Sequence, residues 1–410
     1  MAGKKGQLFR DRGEHGHAPV TYIELFFDLV FVFAITQLSH RLLAHLTFHG
    51  AIETLLLFLA VWWVWIYTSW TTNWLDPDRG HVRLMIIALM LGGLALSSAL
   101  PEAFGEKGLL FAGAYVAMQV GRALYMVWAY SGGHSPSGVR NFMRITFYSA
   151  LASPFWIWGA FQEGDVRLFA WAAGLAVEYS GPWLWFRTPF LGHSVGSDWN
   201  ISGGHMAERC ALFIIIALGE SVLVTGATFA DLPHDRPTII AFVSSFLGSA
   251  VMWWIYFDTG AKRASSRIEE AGATAGQIAR NAYTYLHMPI VASIVVTAVG
   301  DELMLAHPIG HVDPAYILTA VGGPALFLVG NQMFKWITSD LRLPPFSHFI
   351  GLLLLSGVAA GGTLLHWQPL TVGMLATASL IMTAIWEWFS LHGGWQRWAP
   401  WLGTIFGRSS

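Results

Sequence analysis

Long apolar runs separated by short polar breaks organise the whole chain. Windows of about 20 predominantly apolar residues, the length a helix needs to cross hydrocarbon, fall at roughly 21 to 43, 51 to 73, 84 to 104, 108 to 131, 141 to 162, 166 to 186, 206 to 229, 237 to 258, 278 to 300, 314 to 337, 346 to 366 and 369 to 391. The pattern predicts an all-α polytopic transmembrane bundle of about 12 spans, with little room for a soluble domain. The first run, TYIELFFDLVFVFAITQLSH from Thr21 to His40, sets Glu24, Asp28 and Gln37 among Phe, Val, Leu and Ile. A carboxylate at membrane depth costs several kcal/mol, so it faces a partner or a water-filled cavity rather than lipid. On a helix Glu24 and Asp28 stand one turn apart on one face, roughly 6 Å along the axis.

Composition agrees. The 410 residues are 54% hydrophobic and 12% charged, against about 25% charged in soluble domains. The 43 glycines and 21 tryptophans suit close helix approach and interfacial anchoring. A net charge of −2 gives no electrostatic case for nucleic acid. The single cysteine, Cys210, excludes an internal disulfide framework and a cysteine-based metal site. The first twenty residues have no apolar core or cleavage pattern, so the first transmembrane helix is expected to direct insertion.

Basic residues alternate by side. Lys4, Lys5, Arg10, Arg12, Arg79, Arg83, Arg140, Arg144, Arg187, Arg209, Lys262, Arg263, Arg267, Arg280, Lys335, Arg342, Arg397 and Arg408 fall on the N-terminal side, 18 of 23 in all. Arg41, Lys107, Arg167 and Arg236 fall on the other. The positive-inside rule then predicts that both termini are cytoplasmic.

An internal repeat is also expected. Trp65-Ile66-Tyr67 ends the second window as Trp254-Ile255-Tyr256 ends the eighth; Gly121-Arg122 and Gly330-Asn331 hold corresponding places in the fourth and tenth; Tyr22-Ile23-Glu24 opens the first as Met206-Ala207-Glu208 opens the seventh. Matches in the same order, six helices apart, argue for a 6+6 parallel repeat. The organisation read from this is an N-terminal tail (1–20), a first six-helix repeat (21–187), a linker (188–204), a second repeat (205–392) and a C-terminal tail (393–410).

Candidate chemistry sits where charge enters these windows. Glu24, Asp28, Arg122 and Glu178 come to similar depth, with Arg122 as the expected counter-charge of Asp28. The alternatives are a helix-tying ion pair and a proton or ion pathway. In HMAERCALFIIIALGES, His205 to Ser221, Glu208 and Arg209 form a charged pair at the cytoplasmic end, while Glu220 lies twelve residues or roughly 18 Å further in, beside Gly219. The ninth window places His287 before Pro289; it reads either as a hydrogen-bonded packing residue or as a proton relay, with a kink at the proline. Asn331 takes the repeat position of Arg122. The histidines show no haem or zinc spacing, no nucleotide loop or nucleophile elbow occurs, and neither metal ligands nor catalytic residues are assigned. The cofactor is left unknown.

IELFFDLVFVFAITQLSH and HMAERCALFIIIALGESVL resemble the two signatures of the bacterial low temperature requirement A (LtrA) family. The resemblance covers essentially the whole chain and implies a multi-pass inner-membrane protein, by name linked to growth in the cold. Glu24, Asp28, Glu208, Arg209, Gly219 and Glu220 match those signatures. The run from Phe26 to Thr36 is also similar to the Phe-Ser-Asp first helix of the lysosomal and prokaryotic potassium-channel family with six-helix repeats, although Phe27 replaces the serine and Tyr22 stands where an arginine is usual. The leading expectation is a secondary transporter or channel-like protein passing protons, small ions or an unidentified small molecule, with membrane lipids around it. The rivals are an intramembrane enzyme or lipid-binding protein that adjusts the membrane, with Glu208 and His287 as acid or base, and a cofactor-binding scaffold; a homo-oligomer is left open.

Overall fold

The apolar windows fold as helices, and polar caps set where they begin. The computed structural model describes residues 8–10, 19–132, 135–195, 199, 201–258, 275–339 and 343–391. Most of the two expected tails, part of the linker, and Lys4, Lys5, Arg12, Lys262, Arg263, Arg267, Arg342, Arg397 and Arg408 lie outside the described residues. In chain order the main helices are α1 (Tyr22–Ala44), α2 (Phe48–Trp74), α3 (Gly80–Ala99), α4 (Gly108–Tyr130), α5 (Pro136–Ala160), α6 (Gly164–Trp183), α7 (Gly203–Ala230), α8 (Arg236–Phe257), α9 (His287–Ala306), α10 (Gly322–Ile337), α11 (Phe346–Leu364) and α12 (Pro369–Leu391). Thr47, Ser135 and Asp235 cap α2, α5 and α8 by accepting the amide N–H of Gly50 (3.0 Å), Gly138 (3.1 Å) and Thr238 (3.0 Å), which satisfies amides that the helix itself leaves open.

Ten of these rods are long and apolar enough to cross a membrane, and the protein is an integral, multi-pass helical membrane protein. The other two are α5 and α6, which hold Arg140, Arg144 and Arg167 and are rich in Trp, Tyr, Ser and Gly. The helices are inside-out relative to a soluble protein. On α1 the charged Glu24 and Asp28 are buried with Phe27 and Phe31, while Phe26, Leu29 and Phe33 are exposed. Apolar side chains gain nothing by avoiding lipid, whereas a carboxylate must leave it.

Two rods are interrupted. α9 is preceded by a π-helical turn, Arg280–Tyr285, just ahead of Pro289. Proline has no N–H to offer the carbonyl four residues back, which is that of Tyr285, so regular α-helix cannot run through this point. The tenth rod breaks between Pro314–Ala320 and α10.

The chain divides into two compact units, Met1–Arg209 with Gly272–Gln277, and Cys210–Ala271 with Ile278–Ser410. In the first, α2 is the central helix: Trp62, Trp63 and Trp65 are buried, and α2 packs on α1, α4 and α6. After α6 the chain turns through Trp185 and Phe186 with positive φ and is held to α5, where Arg144 donates to the Leu191 carbonyl (2.6 Å) and Tyr148 to that of Arg187 (2.9 Å). In the second unit α9 packs on α10 and on the Pro314–Ala320 helix, and α12 on α8 and α11.

Candidate functional site

The first turns of α1 and α7 pair rung by rung. Glu24 and His205 are each the third residue of their helix, and Asp28 and Arg209 each the seventh. His205 Nε2 lies 2.8 Å from Glu24 Oε1, and Arg209 Nη2 lies 2.7 Å from Asp28 Oδ1, with all four side chains fully buried. Arg209 Nη1 is also 3.5 Å from Glu24 Oε1, so one guanidinium serves both carboxylates. The turn-by-turn spacing read from the sequence thus places both acids on one cation.

That cation is not the expected one. Asp28 pairs with Arg209, not Arg122. Nor is Arg209 half of a solvated pair with Glu208: it is buried and 181 residues from its partner, while Glu208 stays half-buried and accepts the Val20 N–H (3.2 Å). Helix ends read from sequence alone look solvated; here the chain before α1 covers this one.

The two carboxylates are held differently. Glu24 Oε2 accepts the Thr21 N–H (2.8 Å), the Thr21 hydroxyl (2.9 Å) and Arg10 Nη2 (2.7 Å). The first of these is the reciprocal half of a capping box, so Glu24 also starts α1. Asp28 Oδ1 accepts Arg209 and the Trp65 indole N–H (2.8 Å), whereas its Oδ2 has no hydrogen-bond partner. Arg209 donates from Nη2 to Ser69 Oγ as well (3.2 Å), its Nε and Nη1 have no hydrogen-bond partner, and its carbon lies 5.8 Å from the ring centroids of Phe27 and Trp65. Buried polar atoms normally find partners, which marks Asp28 and Arg209 as the open part of the cluster.

Around them the network closes. Asn73 Nδ2 lies 2.8 Å from the Ser202 carbonyl and 3.2 Å from His205 Nδ1, and its Oδ1 accepts the Ser202 N–H (3.0 Å). An amide donor at Nδ1 makes that nitrogen the acceptor, so the proton of a neutral His205 is on Nε2, aimed at Glu24. Arg10 donates from Nε to the Thr72 carbonyl (2.8 Å) and from Nη1 to that of Pro19 (2.8 Å), and residues 8–10 are tied to the end of α2. Two arginines then balance two carboxylates about a neutral imidazole.

Arg122 and Glu178 belong to a second cluster on another side of α2. Arg122 donates to the Val64 carbonyl (3.2 Å), to Thr68 Oγ1 (3.2 Å) and to Gln119 Oε1, and lies 5.3 Å from the Tyr67 ring centroid. Glu178 accepts the Tyr115 hydroxyl (2.5 Å) and Gln119 Nε2 (3.3 Å). Gln119 therefore relays between cation and carboxylate, which do not touch directly. The four groups expected at one depth form two centres.

In the second unit His287 Nδ1 lies 2.8 Å from the Ala282 carbonyl, within the π-helical turn, and its Nε2 lies 2.8 Å from the Tyr256 hydroxyl. The carbonyl requires the proton on Nδ1, so Tyr256 donates to Nε2. Asn331 donates to the Phe327 carbonyl (3.2 Å), and its Oδ1 has no hydrogen-bond partner. One turn later Lys335 donates to Glu387 Oε1 (2.7 Å) and to the Ile255 carbonyl (2.7 Å). Glu220 is half-buried on α7, and no described atom lies within 4 Å of where a Gly219 side chain would begin, so this glycine serves no close helix approach. Cys210 is buried.

Sequence reading missed Arg10, Trp65, Asn73 and His205 as members of the first centre, and the Lys335–Glu387 pair. The signal available was His205 four residues before Arg209, the same spacing as Glu24 and Asp28. Among the described residues no three His, Cys, Asp or Glu side chains are placed to hold a metal.

The family model described as bacterial low temperature requirement A protein matches residues 19–385. An uncharacterized protein of Rhizobium meliloti (strain 1021) is 41% identical over 374 residues, covering 90% of this chain and 89% of its own. No solved structure matches.

Proposed function

The chain belongs to the bacterial low temperature requirement A family, and from that premise we propose that it is a secondary transporter or channel-like protein whose ion or proton path runs past Asp28 and Arg209. The observation that carries this reading is a fully buried ion pair with one carboxylate oxygen and two guanidinium nitrogens left without hydrogen-bond partners. A pair built only to tie helices would have its donors and acceptors filled, as Glu24 has. Protonation of Asp28, or arrival of a cation beside it, frees Arg209 to lean on Glu24 alone. The same pair can thus adopt two arrangements, as a gate or coupling step requires. Glu178 with Arg122, and Glu208, Glu220, His287 and Asn331, are further candidates along the path.

The arrangement we favour has twelve spans in two parallel six-helix repeats, about 21–187 and 205–392, with both termini in the cytoplasm of a bacterial cell and the protein in its inner membrane. Supporting α5 as a span, Met143, Phe147, Leu151, Phe155 and Trp158 are exposed at helical spacing along one face. Supporting the repeat, each unit has a buried cation from its fourth long rod donating to a main-chain carbonyl near the Trp-Ile-Tyr of its second: Arg122 to Val64, just before the motif, and Lys335 to Ile255, within it.

The test is ion and proton flux in proteoliposomes for wild type, Asp28→Asn and Glu220→Gln, each checked for monodisperse folded protein. Flux that disappears in folded Asp28→Asn supports the path. Wild-type flux in that variant removes Asp28 from it, and altered membrane lipid composition on deletion, without flux, would favour a lipid-modifying role instead.

A further inference from the structure

Asp301 lies five residues before the end of α9, about 8 Å along the axis. Its Oδ2 is sealed from solvent and has no hydrogen-bond partner, although the residue as a whole keeps some exposure. Burial and the Ser245 hydroxyl dominate its surroundings, and among the described residues no cationic side chain pairs with it. Tyr316 is its other polar neighbour, but that hydroxyl donates to the Pro369 carbonyl at 2.8 Å. An uncompensated carboxylate inside a span is costly.

Two buried hydroxyls accompany it. Ser245 on α8 is 1% exposed and Thr297 on α9 is 8% exposed, and neither oxygen completes a hydrogen bond. Helical Ser and Thr ordinarily donate to a carbonyl one turn back; Thr36, Thr68, Thr338, Thr383, Ser69 and Ser379 do so here. Thr297 and Asp301 are one turn apart on the same face of α9, and Ser245 approaches the carboxylate from α8, which packs on α9, without completing a hydrogen bond to it.

We infer that Asp301, Thr297 and Ser245 form a binding site for a dehydrated monovalent alkali cation. All three ligands are hard oxygens, which select alkali and alkaline-earth ions over transition metals. A single carboxylate with neutral hydroxyls balances one positive charge, not two. As a binding site this stands by itself; as the site of a coupling ion it rests on the transport reading above.

The experiment is thermal unfolding of the full chain in detergent micelles, titrated with NaCl against choline chloride at constant ionic strength, with LiCl and KCl in parallel. The expected result is a saturable rise in melting temperature with sodium and lithium but not choline. Asp301→Asn abolishes it, and Ser245→Ala or Thr297→Val raises the half-saturating concentration about tenfold. Equal shifts with sodium, potassium and choline overturn the site, as does a sodium shift that survives Asp301→Asn. Should Asp301→Asn fail to fold, the hydroxyl variants decide: unchanged half-saturation in both refutes the ligand set. A sodium shift without flux keeps the site and removes transport; flux without a sodium shift keeps transport and removes the site.

Discussion

Removing the partners of the Asp28–Arg209 pair one at a time should produce unequal damage. At 2.7 Å and an effective dielectric of about 20, the attraction is about 6 kcal/mol before desolvation, and the Glu24 contact at 3.5 Å adds about 5 kcal/mol. In Asp28→Asn, Arg209 keeps Glu24, so the loss falls at the lower end of the range for breaking a buried pair, about 3 kcal/mol. In Arg209→Met, Asp28 keeps only the Trp65 indole and faces Glu24. Its escape is to take up a proton, which from a reference carboxylate pKa of about 3.9 costs about 4 kcal/mol at pH 7. The double variant removes one charge of each sign and leaves Arg10 balancing Glu24. It should cost no more than the worse single, about 4 kcal/mol, giving a coupling of about 3 kcal/mol.

Unfolding in mixed micelles measures all four proteins. The pH dependence adds an independent reading. Arg209→Met would bind a proton in the folded state that the unfolded chain lacks at neutral pH. Its deficit should therefore shrink on acidification, by up to about 1.4 kcal/mol per pH unit between neutrality and the carboxylate range. The Asp28→Asn deficit has no such slope. Additivity within about 0.5 kcal/mol, or equal pH slopes, would refute a coupled buried pair. The double variant also bears on function, because a folded, monodisperse double variant without flux locates the defect in the path rather than in the fold.

Other consequences are local. Arg10→Gln removes the Glu24 contact and frees the segment tied to the end of α2, at a cost of about 2 kcal/mol, with faster amide exchange at Thr21 to Leu25; unchanged exchange would mean that residues 8–10 do not cover this end. Gly323→Ala would set a Cβ 2.4 Å from Thr297 Oγ1 and 2.7 Å from the Thr297 main-chain nitrogen, so α9 and α10 must separate, at about 2–3 kcal/mol; a melting temperature equal to wild type would contradict that packing. The Thr238 N–H bond holds the Asp235 carboxyl below the usual range. A depressed folded value stabilises above the unfolded value and is lost as pH falls through the folded one, so exchange at the start of α8 should quicken below about pH 4, a response that Asp235→Asn should lack.

How far the sequence could be read follows from which interactions are periodic. The long rods were legible because a bilayer demands apolar length, and α1 and α7 were legible as polar exceptions to it. The shared face of Glu24 and Asp28 followed from helix geometry alone. The identity of their cation did not: Arg122 and Arg209 are both arginines at plausible depth, and choosing between them needs the rotation of α4 and α7 about their axes, which no pattern within one helix specifies. The roles of Arg10, Asn73 and His205 are further from view, because each depends on main-chain carbonyls or on tautomer choice at a meeting of segments up to 195 residues apart. Asp301 was hidden for a different reason. Just past the end of an apolar window the pair Asp301-Glu302 looks like a solvated terminus, and only the failure of Ser245 and Thr297 to bond back along their own helices singles Asp301 out. Unfilled hydroxyls are therefore a better guide to an ion site in this bundle than the count of charges, since Arg122 and Lys335 are buried too and their donors already have partners.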